Sequence, residues 1–512
     1  MRAVIPGLLL AAVLAVAGAC AGDETSAPPP APPAFANQGQ GHGKTSLDLI
    51  EEDYSSGVLD RDNANRYRQY AVSAPERLPP RYRSEVIGKD ATASMLRMAL
   101  DWDQLAAPTR QEIQDLQADG FGQLKETRET PHFVLHYTTQ GAHAVPAVDA
   151  DGNGTPDYVD VAARSYERVW QREIVELGYP APKGTPAEKF HVYFQNLRLY
   201  YGYTAALQPI ETIATSPFPL GTAAAYVVVE NDFAEGFPPN DEDVTGREEV
   251  RSGAQKVTNA HEFMHASQFN LNIYQSGWLF ESHATWAEDQ VYDEINDWRW
   301  YVQRFLDAPD LPIFNRFVYG SAFFQHYLSE TYGVDVPRQI WFAARTRSTP
   351  DAVRDAAFGG SWEPMKEFGP AEYLLRISDY TRDPASVVPR PRNRIRATHT
   401  SYPVDAEVPP SKGNFTNRAP WGLGANFIEF EPAGSGELTL RFDGADGFAW
   451  RAFAVATGRG PAQVTEIPLD RGSAGSLTIG GFGARWSKVT LVPTIADRPG
   501  AEVPFRYGAD VK

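Results

Sequence analysis

The sequence predicts a multi-domain chain in which an α+β domain lies between a helical N-terminal region and a C-terminal β-sandwich. Three observations predict it. A length of 512 residues suggests about three domains at roughly 150 residues each. Strand-like runs at His132–Tyr137, Phe190–Phe194 and Ala225–Val229 are separated and followed by long helical patterns. Beyond Pro389 the texture changes to short apolar runs divided by glycine turns, such as Asn426–Phe430, Leu438–Phe442 and Val489–Val492, over about 110 to 120 residues.

Composition narrows the class. A content of 42% hydrophobic and 12% aromatic residues can fill large cores and excludes a mostly disordered chain. The 47 basic and 65 acidic residues give a formal charge of −18, which excludes a general affinity for nucleic acid. One cysteine, Cys20, excludes intramolecular disulfides and any multi-cysteine metal site.

Residues 1–19 have the form of an export signal, with Arg2 as the positive end and Leu8–Val16 as an apolar stretch too short for a stable span. Ala17-Gly18-Ala19-Cys20 resembles a bacterial lipobox, which would make Cys20 the lipidated first residue of a membrane-anchored lipoprotein. Cleavage at the A-x-A site is the rival; both place the mature protein outside the cytoplasm. Residues 20–45, rich in proline and glycine, form a tether. Residues 46–126 carry two apolar helical stripes broken at Pro79-Pro80 and no chemical constellation, as in a pro-segment or a permanent helical module. The α+β domain occupies 127–388 and the β-sandwich 389–512.

Chemistry is concentrated at His261-Glu262-Phe263-Met264-His265, an HExxH pentad in a helical context. Residues four apart share a helix face, so both imidazoles reach one metal ion with Glu262 beside them. Leu271 stands where the metzincin pattern has its third histidine, which excludes that subclass. Downstream, Trp278-Leu279-Phe280-Glu281 resembles the glutamate-helix motif of gluzincins, most closely aminopeptidase N-like enzymes, and the resemblance makes Glu281 the third zinc ligand. Glu288, two turns further on, competes for that role. Two imidazoles and a carboxylate leave Zn²⁺ an open position for water, and Glu262 is placed to act as general base.

Phe317-Val318-Tyr319-Gly320 is similar to the Y-x-K-G helix entry that carries a catalytic tyrosine in the same enzymes, although two residues between Tyr and Gly are missing. Tyr319 is therefore a candidate oxyanion donor, with core packing as the alternative. His283 and His326 are assigned to packing or polar support. No G-x-M-E-N sequence is present to hold a free amine, and Glu230-Asn231 is only an echo of it, which favours an endopeptidase over an aminopeptidase.

A second metal is expected at Asp149-Ala150-Asp151-Gly152-Asn153-Gly154-Thr155-Pro156-Asp157-Tyr158-Val159-Asp160, which follows the calcium-loop template. The side chains of Asp149, Asp151, Asn153, Asp157 and Asp160, with the Thr155 carbonyl, would hold structural Ca²⁺ and pin a helix from Asp157 to about Leu177.

Taken together, these features across most of residues 45 to 510 resemble secreted zinc metalloproteases of myxobacterial type, related in style to immune-inhibitor-A proteases. The resemblance implies a zincin-like catalytic domain, zinc, and protein or peptide substrates. A metallo-aminopeptidase and a non-catalytic surface binding or adhesion lipoprotein remain the alternatives.

Overall fold

The computed structural model describes residues 43–185, 187–213, 218–234, 247–382, 395–411, 419–497 and 501–512, excepting the side chains of 247–251, 382 and 395. The export signal, Cys20, most of the tether and the 388/389 boundary lie outside the described residues.

The N-terminal region is helical, with α1 (Ser46–Ser55), α2 (Arg61–Ser73), α3 (Thr92–Asp101) and α4 (Ala107–Gly122). Thr45 caps α1 in a reciprocal capping box with Asp48. The proline break becomes two single 3₁₀ turns, Pro75–Arg77 and Pro80–Tyr82. One element departs from the helical expectation: Gly88–Asp90 forms a strand, β1. Three residues are too few to show a period, and the strand exists because it pairs with a distant one.

The α+β part follows with β2 (Glu126–Glu129), β3 (Phe133–Tyr137), α5 (Asp157–Val169, continued by a π-helical stretch Trp170–Glu176), β4 (Phe190–Gln195) and β5 (Tyr200–Ala206). A ribbon of β6 (Glu211–Ile213) and β7 (Leu220–Thr222) precedes β8 (Ala225–Glu230). The six-stranded sheet has the order β1-β5-β8-β4-β3-β2. The β1/β5, β8/β4 and β4/β3 pairs are parallel, and β5/β8 and β3/β2 antiparallel.

Alternate residues of β3 and β4 are buried, as a pleated strand requires. Phe133, Leu135, Phe190, Val192 and Phe194 join Val159 and Tyr166 of α5 in the main core. Tyr203 of β5 and Val228 of β8 belong instead to a core shared with Leu47, Met95 and Met98, so the N-terminal helices are built onto the same sheet. The remaining helices are α6 (Arg247–Phe269), α7 (Gly277–Val291), α8 (Arg299–Leu306), α9 (Ala322–Tyr332), α10 (Val336–Ala344), α11 (Thr349–Phe358), α12 (Phe368–Leu374) and α13 (Ser378–Arg382). Among the described residues no helix is long and apolar enough to cross a membrane.

The C-terminal part is all-β: β9 (Ile395–His399), β10 (Val404–Val408), β11 (Phe427–Phe430), β12 (Gly436–Gly444), β13 (Trp450–Gly458), β14 (Gly460–Glu466), β15 (Ala474–Phe482), β16 (Trp486–Ile495) and β17 (Phe505–Val511). Two runs, β10-β17-β12-β15 and β14-β13-β16-β11-β9, meet through the single pair Phe482↔Trp486. Both contribute to one core that includes Leu438, Leu440, Phe442, Trp450, Leu491 and Phe505, giving a nearly closed sheet.

Candidate metal centre

The HExxH pentad lies in α6, whose Ala260, Phe263, Met264 and Ala266 are fully buried and fix the helix in the core. His261 and His265, one turn apart, have ring centroids 4.6 Å apart. Helix α7 begins at Ser276, whose side chain accepts the Leu279 N–H, and is buried along nearly its whole length. Its residues Glu281 and Glu288, seven apart, share the face toward His261.

Glu281 Oε2 lies 3.3 Å from His261 Nε2 and 3.7 Å from His265 Nε2. The other ring nitrogens point away: His261 Nδ1 is 2.6 Å from Glu288 Oε1, and His265 Nδ1 is 2.7 Å from Gln268 Oε1. Each acceptor favours a proton on Nδ1 and so a free lone pair on Nε2, the arrangement that orients metal-binding histidines. Glu288 thus sits behind His261 and not beside Glu281.

The N-terminal region, expected to carry no chemistry, enters the same space. Asp90 Oδ2 is 3.6 Å from His265 Nε2, and ligand atoms of Asp90, His261, His265 and Glu281 all lie within 4.8 Å of one another. The Thr92 hydroxyl donates to Glu262 Oε2 at 2.9 Å, as does that of Thr204 on β5. Lys89 is buried against Glu288, at 3.1 Å, and Asp297. No motif marks these three residues; only the β1/β5 pairing brings them here.

These side chains fit a metal ion. Ligands at zinc distances of roughly 2.0–2.1 Å stand about 3.3–3.5 Å apart at the corners of a tetrahedron, close to the 3.3, 3.6 and 3.7 Å separations. Asp90 Oδ2, His265 Nε2 and Glu262 Oε1 are buried without a hydrogen-bond partner among the described residues, a cost that a shared cation removes. The carboxylates draw positive charge to this spot, which a proton on His265 or a metal ion can supply. Burial holds the His261 pKa down to about 4 despite Glu281. At His265 burial is overcome by the Glu281 and Asp90 carboxylates, which push it well above the ordinary value. Burial, reinforced by Asp90, raises Glu262 well above the carboxylate range.

Tyr319 is fully buried, its ring centroid 6.2 Å from that of His261 and its hydroxyl unpartnered among the described residues. A Cβ on Gly320 would come 2.5 Å from the Tyr301 carbonyl, so the turn that seats Tyr319 depends on glycine. His283 and His326 stay outside the cluster, His326 packing on Trp298 with centroids 4.8 Å apart. The Glu230 carbonyl accepts the Tyr158 hydroxyl at 2.8 Å, and the Asn231 side chain donates to the Ala144 carbonyl.

In the acidic loop, Asp149, Asp151 and Asp157 bring ligand atoms within 4.8 Å of one another. Gly152 and Gly154 take φ of +70° and +86°, the left-handed conformation that makes the sharp turns. Asn153 Oδ1 accepts the Thr155 N–H at 2.8 Å. Asp160 is turned toward Arg128, at 3.2 Å, and accepts from Asn153 Nδ2 at 2.7 Å, so it does not join the three.

No curated protein matches the chain. Among solved structures it is similar to the pre-peptidase C-terminal domain of a collagenase from Bacillus anthracis, at 8% identity and a TM-score of 0.16, covering 22% of this chain and 94% of that one. It is also similar to a family GH115 4-O-methyl-α-glucuronidase, BtGH115A, at 9% identity and a TM-score of 0.15, covering 50% of this chain and 42% of that one. Neither likeness is close enough to carry an argument. The model described as "Family of unknown function (DUF6055)" matches residues 102–456, a span that holds α6, α7 and Tyr319 and begins after Asp90. Because that match covers well over half of the chain, the protein belongs to this family of unknown function, DUF6055.

Proposed function

We propose that the protein is an exported, zinc-dependent metalloendopeptidase with a zincin-like catalytic domain and a C-terminal β-sandwich, hydrolysing peptide bonds of protein substrates. One observation carries this reading: His261 Nε2, His265 Nε2 and Glu281 Oε2 converge beside the buried carboxylate of Glu262. His261, His265 and Glu281 would hold the metal. Zinc in such a set supplies Lewis acidity toward water and a peptide carbonyl. Glu262, whose carboxylate lies beside the cluster, takes a proton from the attacking water and passes it to the leaving amine. The Tyr319 hydroxyl, without another partner among the described residues, donates to the carbonyl oxygen as charge develops. The loop of Asp149, Asp151, Asn153, Thr155, Asp157 and Asp160 holds a structural Ca²⁺, for which Asp160 would leave Arg128. The signal-like N-terminus and Cys20 support work at the cell envelope, anchored by lipid.

One observation favours a second reading, a non-catalytic surface lipoprotein with structural zinc. Asp90 places a fourth potential ligand atom in the cluster, and closed four-ligand sites are typically structural. Against it stands Glu262, a buried carboxylate that a structural site does not need.

The test is metal analysis of the purified soluble chain with casein cleavage by wild type and Glu262→Gln, each intact and after tryptic nicking followed by trypsin inhibition. About one zinc per chain is expected in both proteins, with cleavage by wild type alone. Absence of bound zinc, or no difference between the proteins in either state, overturns the proposal.

A further inference from the structure

We propose that Asp90 is a fourth protein ligand of this metal and that β1 with the first turn of α3 holds the site shut. The chain as folded is then a latent form, opened by withdrawal or proteolytic loss of the N-terminal helical region. The proposal rests on the zinc-peptidase reading above.

Three consecutive contacts carry it. Asp90 is fully buried, and its Oδ2, 3.6 Å from His265 Nε2, has no hydrogen-bond partner among the described residues. Its other oxygen accepts the Thr92 N–H at 2.6 Å, which aims Oδ2 at the cluster. With a metal bound to His261, His265 and Glu281, that oxygen would take the position that a catalytic site keeps open. The Thr92 hydroxyl donates to Glu262 Oε2, so the same segment also engages the base. Lys89, with a side chain only 2% exposed, is held between Glu288 and Asp297 and anchors the strand from the other side.

The backbone adds a second obstruction. β5 passes so close to the pentad that a Cβ on Gly202 would lie 3.0 Å from Glu262 Cγ. An extended peptide reaching the metal would pair along the outer edge of β5, the usual mode of strand addition. β1 already occupies that edge, with Gly88 opposite Tyr200 and Asp90 opposite Gly202. The Gly88 and Ala91 N–H groups donate to the Leu199 and Gly202 carbonyls at 2.7 and 3.1 Å. One segment therefore takes the metal position, the base and the strand edge together. A permanent structural ligand requires only the first of these.

Opening is a ligand exchange: the Asp90 carboxylate leaves, and water or a substrate carbonyl enters. A small chelating ligand reports the open fraction, because its apparent affinity falls in proportion to that fraction. The test uses the full soluble chain loaded with Co²⁺ and titrated with acetohydroxamate, read by the visible absorption of the metal. Asp90→Asn keeps an acceptor for the Thr92 N–H and removes the ligating carboxylate; Asp90→Ser does the same should the first variant not fold. The expected result is one cobalt in each protein and hydroxamate binding at least about tenfold weaker in wild type than in the variant. Equal hydroxamate affinity overturns the latent form while bound cobalt leaves the metalloprotein reading intact. A wild type that binds no cobalt overturns that reading and this one with it.

Discussion

Glu173 shows how much a single carboxylate costs when nothing answers it. It lies in the π-helical stretch after α5, fully buried, and neither carboxylate oxygen has a hydrogen-bond partner among the described residues. Burial raises its pKa well above the ordinary 4.5, the His265 charge opposing. The folded chain therefore binds this proton more tightly than the unfolded one. Stability is unaffected below about pH 4.5 and is lost as pH rises from there toward the folded pKa. Glu173→Gln keeps the shape and removes the ionisation. It is expected to match wild type near pH 4.5 and to be the more stable of the two at pH 7.5, by a margin that grows with pH. Urea unfolding at the two pH values checks this, and a difference that does not grow with pH refutes it. Glu288, also buried, is not a parallel case: burial pushes it up to about 8, but Lys89 and His261 Nδ1 both face it.

Among the elements, the loop before α5 is where a bound ion has most to add. Asp149, Asp151 and Asp157 bring their carboxylates together, and the loop leads directly into a helix packed on the main core. Calcium is expected to raise the melting temperature on the order of 2–4 °C. Asp151→Ala should abolish that calcium dependence; thermal melts with calcium and with chelator decide it, and a variant that still responds to calcium counts against the loop.

Elements also show what sequence could reveal. β3, β4 and β8 were legible because alternation and β-branched content are local signals. The α6 pentad was legible because four-residue spacing maps directly onto a helix face. β1 was not, since Gly88-Lys89-Asp90 has no pattern and takes its strand conformation from Tyr200–Gly202, far along the chain. Asp90 was missed for the same reason. The roles of Glu281 and Glu288 are separated only by the way α7 packs on α6, a tertiary fact. The near closure of the C-terminal sheet rests on one pair, Phe482↔Trp486, which no periodicity foretells.

At the scale of the whole molecule, the C-terminal part is joined to the helical part by apolar and polar contacts together. Tyr373 and Leu374 pack on the cluster of Ala425, Phe427, Phe453, Val455 and Val492. The Tyr373 hydroxyl donates to Glu429 Oε1 at 2.8 Å, and Arg451 pairs with Glu363 at 2.7 Å. A Cβ on Gly369 would lie 2.5 Å from Thr494 Cγ2, so α12 and β16 meet at glycine distance. A chain ending at residue 388 would expose this face. It is expected to bind a hydrophobic dye and to melt below the full chain, by several degrees. An unchanged melting temperature without dye binding would show that the two parts are energetically independent.

The pairing of β1 with β5 also bears on solubility. As an edge strand of only three residues, β1 offers few free amides and carbonyls to another molecule. Once β1 leaves, β5 becomes an open edge of the sheet, and a second activated chain competes with any peptide for the same backbone groups. The form competent to bind an extended chain is thus also the one most prone to associate with itself, which ties the useful lifetime of the activated protein to its concentration.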